Sequence, residues 1–170
     1  MLRFGLFLAV GVFALDQASK YWILEILRFS PPGCLETHLG CRHIELSPIF
    51  DLTMVWNYGV SFGMLTAGNG AARWGLVAMS LVIAGMFVWW MRGATRSLTG
   101  WALGLVVGGA LGNLVDRVRF GAVADFLDFS GLYFPWVFNV ADAAITVGAA
   151  LLALDFLRHG EEKPRSSTVA

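Results

Sequence analysis

The chain has 170 residues, 57% of them hydrophobic and 14% charged, with a mean hydropathy of +0.67. A soluble domain of this length carries about a quarter charged residues, and here 12 basic and 12 acidic residues cancel to a formal net charge of zero. That balance excludes a nucleic-acid or polyanion partner argued from charge, leaves room for one domain, and points to lipid as the solvent.

The first apolar run, about 4–24, is long enough to cross a bilayer, which takes roughly 20 residues. Arg3 precedes it as in a secretory signal, but no small-x-small cleavage site follows. The run continues through "DQASKYWIL", so a retained helix is predicted. The connection over 25–70 is too long for a turn and too apolar for a free linker. Within it "IFDLTMVWNYG" mixes apolar and β-favouring residues ahead of an Asn-x-Gly turn signal, and "SFGMLTAGNGAA" leads onward. A small β-rich element, about 44–66, is predicted on the outer membrane surface. Its "SPIF" and "VWNYGVSF" aromatics, Trp56 and Phe62 among them, suit contact with lipid or an acylated substrate, or packing onto the bundle.

Three further apolar spans follow, about 71–91, 98–115 and 137–157. In the third helix Gly104, Gly108 and Gly112 recur every four residues, a stripe that lets another helix approach closely. The fourth carries a comparable set in Ala141, Ala144, Gly148 and Ala149. These stripes build a bundle and imply no chemistry. The tail from 159 to 170 is polar, unpatterned and predicted to be disordered. The fold class is therefore an all-α membrane protein of four transmembrane helices in one domain, 1–158, with the β-rich element between the first two helices.

Six of the seven tryptophans (Trp22, Trp74, Trp89, Trp90, Trp101 and Trp136) lie near span ends, where an amphipathic indole prefers the headgroup boundary. Arg3, Arg92, Arg96, Arg158, Lys163 and Arg165 fall on one side of the four spans, which predicts both termini in the cytoplasm. Arg28, Arg42, Arg117 and Arg119 lie opposite. The 25–70 and 116–136 connections then face outward.

Several polar residues fall at membrane depth. Asp16 and Lys20 are four apart and share a helix face; Asp16 lies roughly 12 Å inward from the outer end of its helix. Asp142 lies about 8 Å inward on the fourth helix, with Asn139 one turn before it. Asn113 and Asp116 close the third helix on the same side. Residues of three helices thus converge at one depth, and a carboxylate in hydrocarbon costs roughly 2.5–3.5 kcal/mol unless it faces a partner or a cavity. Asp16 and Lys20 read as a positioning pair, since the ammonium holds the acid ionised. Asp116 and Arg117 fit either the site or a helix end anchored at the interface. Asp155, near the cytoplasmic end, is assigned no role, and Asp51 and Asp128 read as solvated loop acids. Asp125 and Asp142 remain, the former lowered toward the membrane by the apolar loop "FGAVADF". Two carboxylates in one partly dehydrated pocket share a proton, so one can act as base toward water while the other polarises a carbonyl. That is peptide hydrolysis without a metal or a nucleophilic serine.

The blocks "LDQASK", "NYGVSF", "GGALGNLVDR", "VADF" and "FNVADAAITVG" resemble, in order, those of bacterial lipoprotein signal peptidase, or signal peptidase II. The resemblance implies an aspartyl peptidase of the inner membrane that cleaves prolipoproteins before the diacylglyceryl-modified cysteine, with no cofactor. It implies Asp125 and Asp142 as the catalytic dyad. Asp16, Lys20, Asn57, Gly59, Phe62, Asn113, Asp116, Arg117, Asn139 and Ala141 would support it or contact substrate. It likens the 25–70 element to a β-cradle that clamps substrate at the membrane.

One stretch departs from those blocks. "CLETHLGCRH" sets Cys34, His38, Cys41 and His43 in an outer loop, where two cysteines can oxidise to a disulfide or four N/S ligands can bind Zn²⁺. Catalysis depends on neither. The alternative function is a small transporter or proton-conducting protein, which would want acids near the midplane or strung across both leaflets, not gathered on one side.

Overall fold

A computed structural model describes residues 1–36, 40–59 and 70–159. Four helices account for most of them: α1 over Leu2–Tyr21, α2 over Gly70–Gly93, α3 over Ser97–Arg119 and α4 over Val140–His159. A π-helical turn, Trp22–Ile26, prolongs α1. Each is long and apolar enough to cross a membrane.

α3 is the centre of the bundle. Of its apolar span 61% is buried within the protein, against 17–22% for the other three, which leaves those as the outward-facing helices. The small residues explain how it is enclosed. A Cβ on Gly104 would stand 2.6 Å from the Gly5 carbonyl oxygen, and one on Gly108 would stand 2.8 Å from Val12 Cβ, so the stripe is the seat of α1. On α4, a Cβ on Gly148 would stand 2.7 Å from the Ala102 carbonyl oxygen, which brings α4 onto the adjacent face of α3.

Two helix boundaries differ from the sequence expectation, and both differences bear on the site. α3 runs on to Arg119, so Asn113 and Asp116 stand inside its last two turns and do not close it. Arg117 and Arg119 in the final turn suit the negative end of the helix dipole, and the backbone stays helical past the last apolar residue. α4 begins at Val140, not 137, because Val137–Phe138 form a strand.

That strand belongs to a four-stranded antiparallel sheet in the order β1 (Arg42–Glu45), β2 (Asp51–Asn57), β3 (Val123–Asp128), β4 (Val137–Phe138). The β-rich element is therefore not confined to the connection between α1 and α2: half of its strands come from the connection between α3 and α4. The segment "FGAVADF", expected as a loop, ends in β3. Its last residues pair with β2 (Val55 with Asp125, Trp56 with Ala124), and the strand goes on to pair with β4 (Leu127 with Phe138). Pairing satisfies backbone groups that an apolar loop would have left bare. Residues 60–66 of the expected element, Phe62 included, lie outside the described residues, as does the tail from 160 onward.

Beneath the sheet, Ile23, Phe29, Leu52, Met54, Trp56, Ala124 and Phe126 form one apolar core that joins it to the end of α1. Trp56, for which contact with lipid or substrate and packing onto the bundle were both open, is buried there. Its ring packs on Phe120 at 5.2 Å between centroids, and its N–H donates to Ser30 Oγ at 3.1 Å. Cys34 and Cys41 are joined by a disulfide that closes the loop beside this core. That settles the cysteine pair as a cystine; His38 lies outside the described residues. His43, on β1, pairs instead with Thr53 Oγ1 at 2.7 Å and faces Asp51.

Candidate active site

The site grows from the N-terminus of α4. Asn139 is the residue just before the helix, and its Oδ1 accepts the Asp142 N–H at 2.9 Å while Asp142 Oδ2 accepts the Asn139 N–H at 3.3 Å. This reciprocal pair is an Asn-x-x-Asp version of the capping box, satisfying two backbone donors that a helix start leaves open. Asp142 is thus held by the same bonds that begin the helix. It is half-buried.

Asn139, fully buried, also ties the second acid. Its Nδ2 donates to Asp125 Oδ1 at 2.7 Å, and lies within 3.1 Å of Asn113 Oδ1 and 3.3 Å of the Ala124 carbonyl. One amide therefore touches Asp125 through its side chain and Asp142 through its backbone. Asp125 projects from β3 and is 2% exposed. Its other oxygen accepts from Asn57 Nδ2 at 3.1 Å, at the exposed end of β2. Asn57 Oδ1 in turn accepts the Gly59 N–H at 3.0 Å, which sets the turn that ends the strand. On α3, Asn113 Nδ2 donates to Asp142 Oδ1 at 2.7 Å.

Behind the two acids lies a buried ionic cluster. Lys20 Nζ stands 2.9 Å from Asp16 Oδ2, 2.8 Å from Asp116 Oδ2 and 3.0 Å from Asn113 Oδ1, all three acceptors filled from one ammonium. Lys20, Asp16 and Asp116 are each at most 3% exposed, so the charges are compensated by partners and not by water. Asp16 Oδ1 accepts the Ala141 N–H at 3.0 Å, capping α4 from α1. Gln17 donates to Asp16 Oδ2 and to the Gly112 carbonyl. A Cβ on Gly112 would collide with the Asp16 carboxylate, so this glycine makes the space for the acid. Asp116 Oδ2 accepts the Ala124 N–H at 3.1 Å, fastening β3 beside Asp125. Arg117 donates to the Asn113 carbonyl at 3.4 Å, and its charge acts on Asp142, Asp125 and Asp116.

Electrostatics separate the two acids. Burial, and then the charge of Asp142, push the Asp125 carboxyl up to about 8; hydrogen bonds from Asn57 and Asn139, and Lys20, oppose the rise. Asp125 thus keeps a proton at neutral pH. One acid able to donate and a neighbour closer to solvent are the two parts that activation of water on a carbonyl requires.

Ten of the twelve expected site residues meet in this cluster: Asp16, Lys20, Asn57, Asn113, Asp116, Arg117, Asp125, Asn139, Ala141 and Asp142. Gly59 stands in the adjoining turn, and Phe62 lies outside the described residues. Asp116 is 1% exposed and turns inward to Lys20 and the Ala124 N–H. Asp128, read as a solvated loop acid, is not one, and Asp155, assigned no role, is buried as well. Asp128 is 7% exposed and accepts bonds from Thr53 Oγ1 and the Ser130 N–H. Asp155 is 6% exposed, accepts from Thr99 Oγ1 at 2.7 Å and lies 3.7 Å from Arg96. Gln17 was missed by sequence reasoning, although its place beside Asp16 on the same helix was a usable signal.

The sequence pattern of the family described as Signal peptidase (SPase) II matches residues 8–158. A lipoprotein signal peptidase of Caulobacter vibrioides is 48% identical over 158 residues, covering 92% of this chain and 88% of its own. One from Rhizorhabdus wittichii is 46% identical over 172 residues, covering 99% and 92%. Among solved structures, a bacterial membrane enzyme determined by the in meso method is similar with a TM-score of 0.75 at 25% identity, over 97% of this chain and 94% of that one. A second gives 0.72 at 28% identity, over 91% and 93%.

Proposed function

The chain belongs to the signal peptidase II family, and from that premise we propose that its aspartic endopeptidase reaction is run by Asp125 and Asp142. The substrate is a prolipoprotein, cleaved before its diacylglyceryl-modified cysteine. The observation that carries the reading is the junction at Asn139, which holds one acid by its amide and the other by its backbone. The transporter alternative has no such support.

Asp142, the acid closer to solvent, takes a proton from water as the hydroxyl oxygen attacks the carbonyl carbon of the residue before the cysteine. Asp125, buried and protonated, gives its proton to the carbonyl oxygen as the C–O π bond opens. Collapse of the tetrahedral intermediate re-forms the carbonyl and returns that proton to Asp125. The C–N bond breaks, and the cysteine nitrogen leaves with the proton held by Asp142. Arg117, acting on both acids, offsets negative charge that develops during attack. Asn57 and Asn113 orient the two carboxyls, while Lys20, Asp16 and Asp116 hold the helices that present them.

In this reading the protein sits in the bacterial inner membrane with both termini in the cytoplasm and the dyad in the outer leaflet. The sheet lies on the outer surface, and lipid surrounds the acyl chains of the substrate. The basic residues of the 92–96 connection and of the chain end support that orientation. Asp125→Asn and Asp142→Asn should each abolish release of signal peptide from a lipidated prolipoprotein while leaving the protein folded in the membrane. The double variant should be little worse than either single one, because the acids act as a unit. Substantial turnover by either well-folded single variant removes that acid from the mechanism.

A further inference from the structure

Arg73, the fourth residue of α2, lies at the end of that helix where the dipole disfavours positive charge. Its guanidinium crosses instead to the C-terminus of α3. There Nε donates to the Arg117 carbonyl at 2.8 Å and Nη2 to the Val118 carbonyl at 2.5 Å. Both are last-turn carbonyls, that of Arg117 also accepting the Phe120 and Gly121 N–H groups, and a cation is favourable at that end. The guanidinium lies 5.4 Å from the centre of the Trp74 ring, a stacking contact that limits its freedom.

The clamp falls at the joint between two parts of the site. Asn113, Asp116 and Arg117 occupy the last two turns of α3, and Asp125 is the third residue of β3. Between them the chain turns at Gly121, whose φ of +84° suits glycine and whose N–H donates to the same Arg117 carbonyl at 3.1 Å. Side-chain atoms of Arg73 lie 3.6–3.8 Å from where a Cβ of Gly121 would stand, so the guanidinium rests on the turn itself. We propose that Arg73 is a positioning residue for the hydrolysis. By clamping carbonyls 117 and 118 it fixes the α3–β3 turn, and through the turn the level at which Arg117 and Asp125 meet Asp142. It works on backbone, not on substrate. The proposal rests on Asp125 and Asp142 being the reacting pair.

The test compares purified wild type with Arg73→Met, Arg73→Lys and Asp125→Asn, using a lipidated prolipoprotein and recording kcat, KM, the pH profile of kcat and thermal unfolding. Arg73→Met should lose about tenfold or more in kcat, since small misplacements of reacting groups carry costs of that order. KM should stay within about twofold, because ground-state binding is untouched, and the alkaline limb of the profile should move. Arg73→Lys, which can still donate to both carbonyls, should recover most of the loss. An unchanged kcat in folded Arg73→Met, a loss confined to KM, or a Lys variant no better than Met overturns the proposal. If Arg73→Met does not fold, Arg73→Lys against Arg73→Gln decides: equal kcat in the two overturns it. Turnover by Asp125→Asn brings down the dyad and this proposal with it. An inert Asp125→Asn beside a fully active Arg73→Met brings down this proposal alone.

Discussion

Asp125 is unusual as a single residue, because its surroundings push its carboxyl up to about 8 from 3.8 for the free group. Burial is the larger cause and the neighbouring Asp142 charge the smaller. The sign follows from linkage: between those two values the unfolded chain has released a proton that the folded chain still holds. Stability contributed by this group is full below about 4 and is lost as the pH rises toward about 8. Activity depends on the same proton and falls in the same direction, at the alkaline end. The protonated acid is needed to polarise the carbonyl, so kcat/KM on a lipidated prolipoprotein should fall above about pH 8 as Asp125 ionises. A pH series in detergent micelles checks this, and a profile flat to about pH 10 removes the donor role from Asp125. Asp125 and Asp142 were legible as residues because carboxylates in apolar sequence demand a reason. Asp128 misled for the converse reason, since neither its type nor its neighbours show that Thr53 and Ser130 satisfy it.

At the scale of elements, α1, α3, β3 and α4 are locked together by Lys20 and its acceptors, a device whose stability depends on completeness. Removing the ammonium leaves Asp16 and Asp116 buried without their cation, which costs about 3–5 kcal/mol in comparable buried pairs. Lys20→Met should therefore lower the thermal unfolding temperature sharply and reduce folded yield; an unfolding temperature equal to wild type would show that the cluster is not what holds these helices. The cystine is a separate, milder device. Closing residues 34–41 restricts the unfolded chain by about 2.5 kcal/mol in the loop-entropy account. Cys34→Ser should lose about that much stability and keep its turnover, and EDTA should leave both untouched. Inactivation by EDTA that Zn²⁺ reverses would overturn the assignment of the loop to a purely structural role. The helices were legible from apolar runs of membrane length. β3 and β4 were not, because strands of six and two residues carry little periodicity of their own and the β2 partner of β3 is distant in sequence.

At the scale of the whole molecule, the dyad sits where the bundle meets the sheet, and the substrate must bring its scissile bond to that level. On the proposed reading, two acyl chains on the substrate cysteine would stay in lipid and act as a depth gauge, fixing the reacting groups before chemistry begins. An unacylated prolipoprotein should lose at least about tenfold in kcat/KM, or roughly 1.4 kcal/mol of transition-state stabilisation. Equal cleavage of both substrates at matched membrane concentration would sink this account of recognition and leave the aspartyl chemistry standing. The sequence by itself determined the four spans, the gathering of acids toward one end, and the motif residues that carry the family resemblance. Those follow from hydropathy, spacing and residue type, which are local properties. Only the tertiary structure decided that β3 pairs β2 across about seventy intervening residues, that Asn139 joins the two acids, and that Asp116 turns inward to Lys20. It also decided that Arg73 reaches the end of another helix. Except for the link from Asn139 to Asp142, three residues on, these contacts join different elements of the chain. The direction in which a side chain finds its partner is set by packing, which no single stretch of sequence contains.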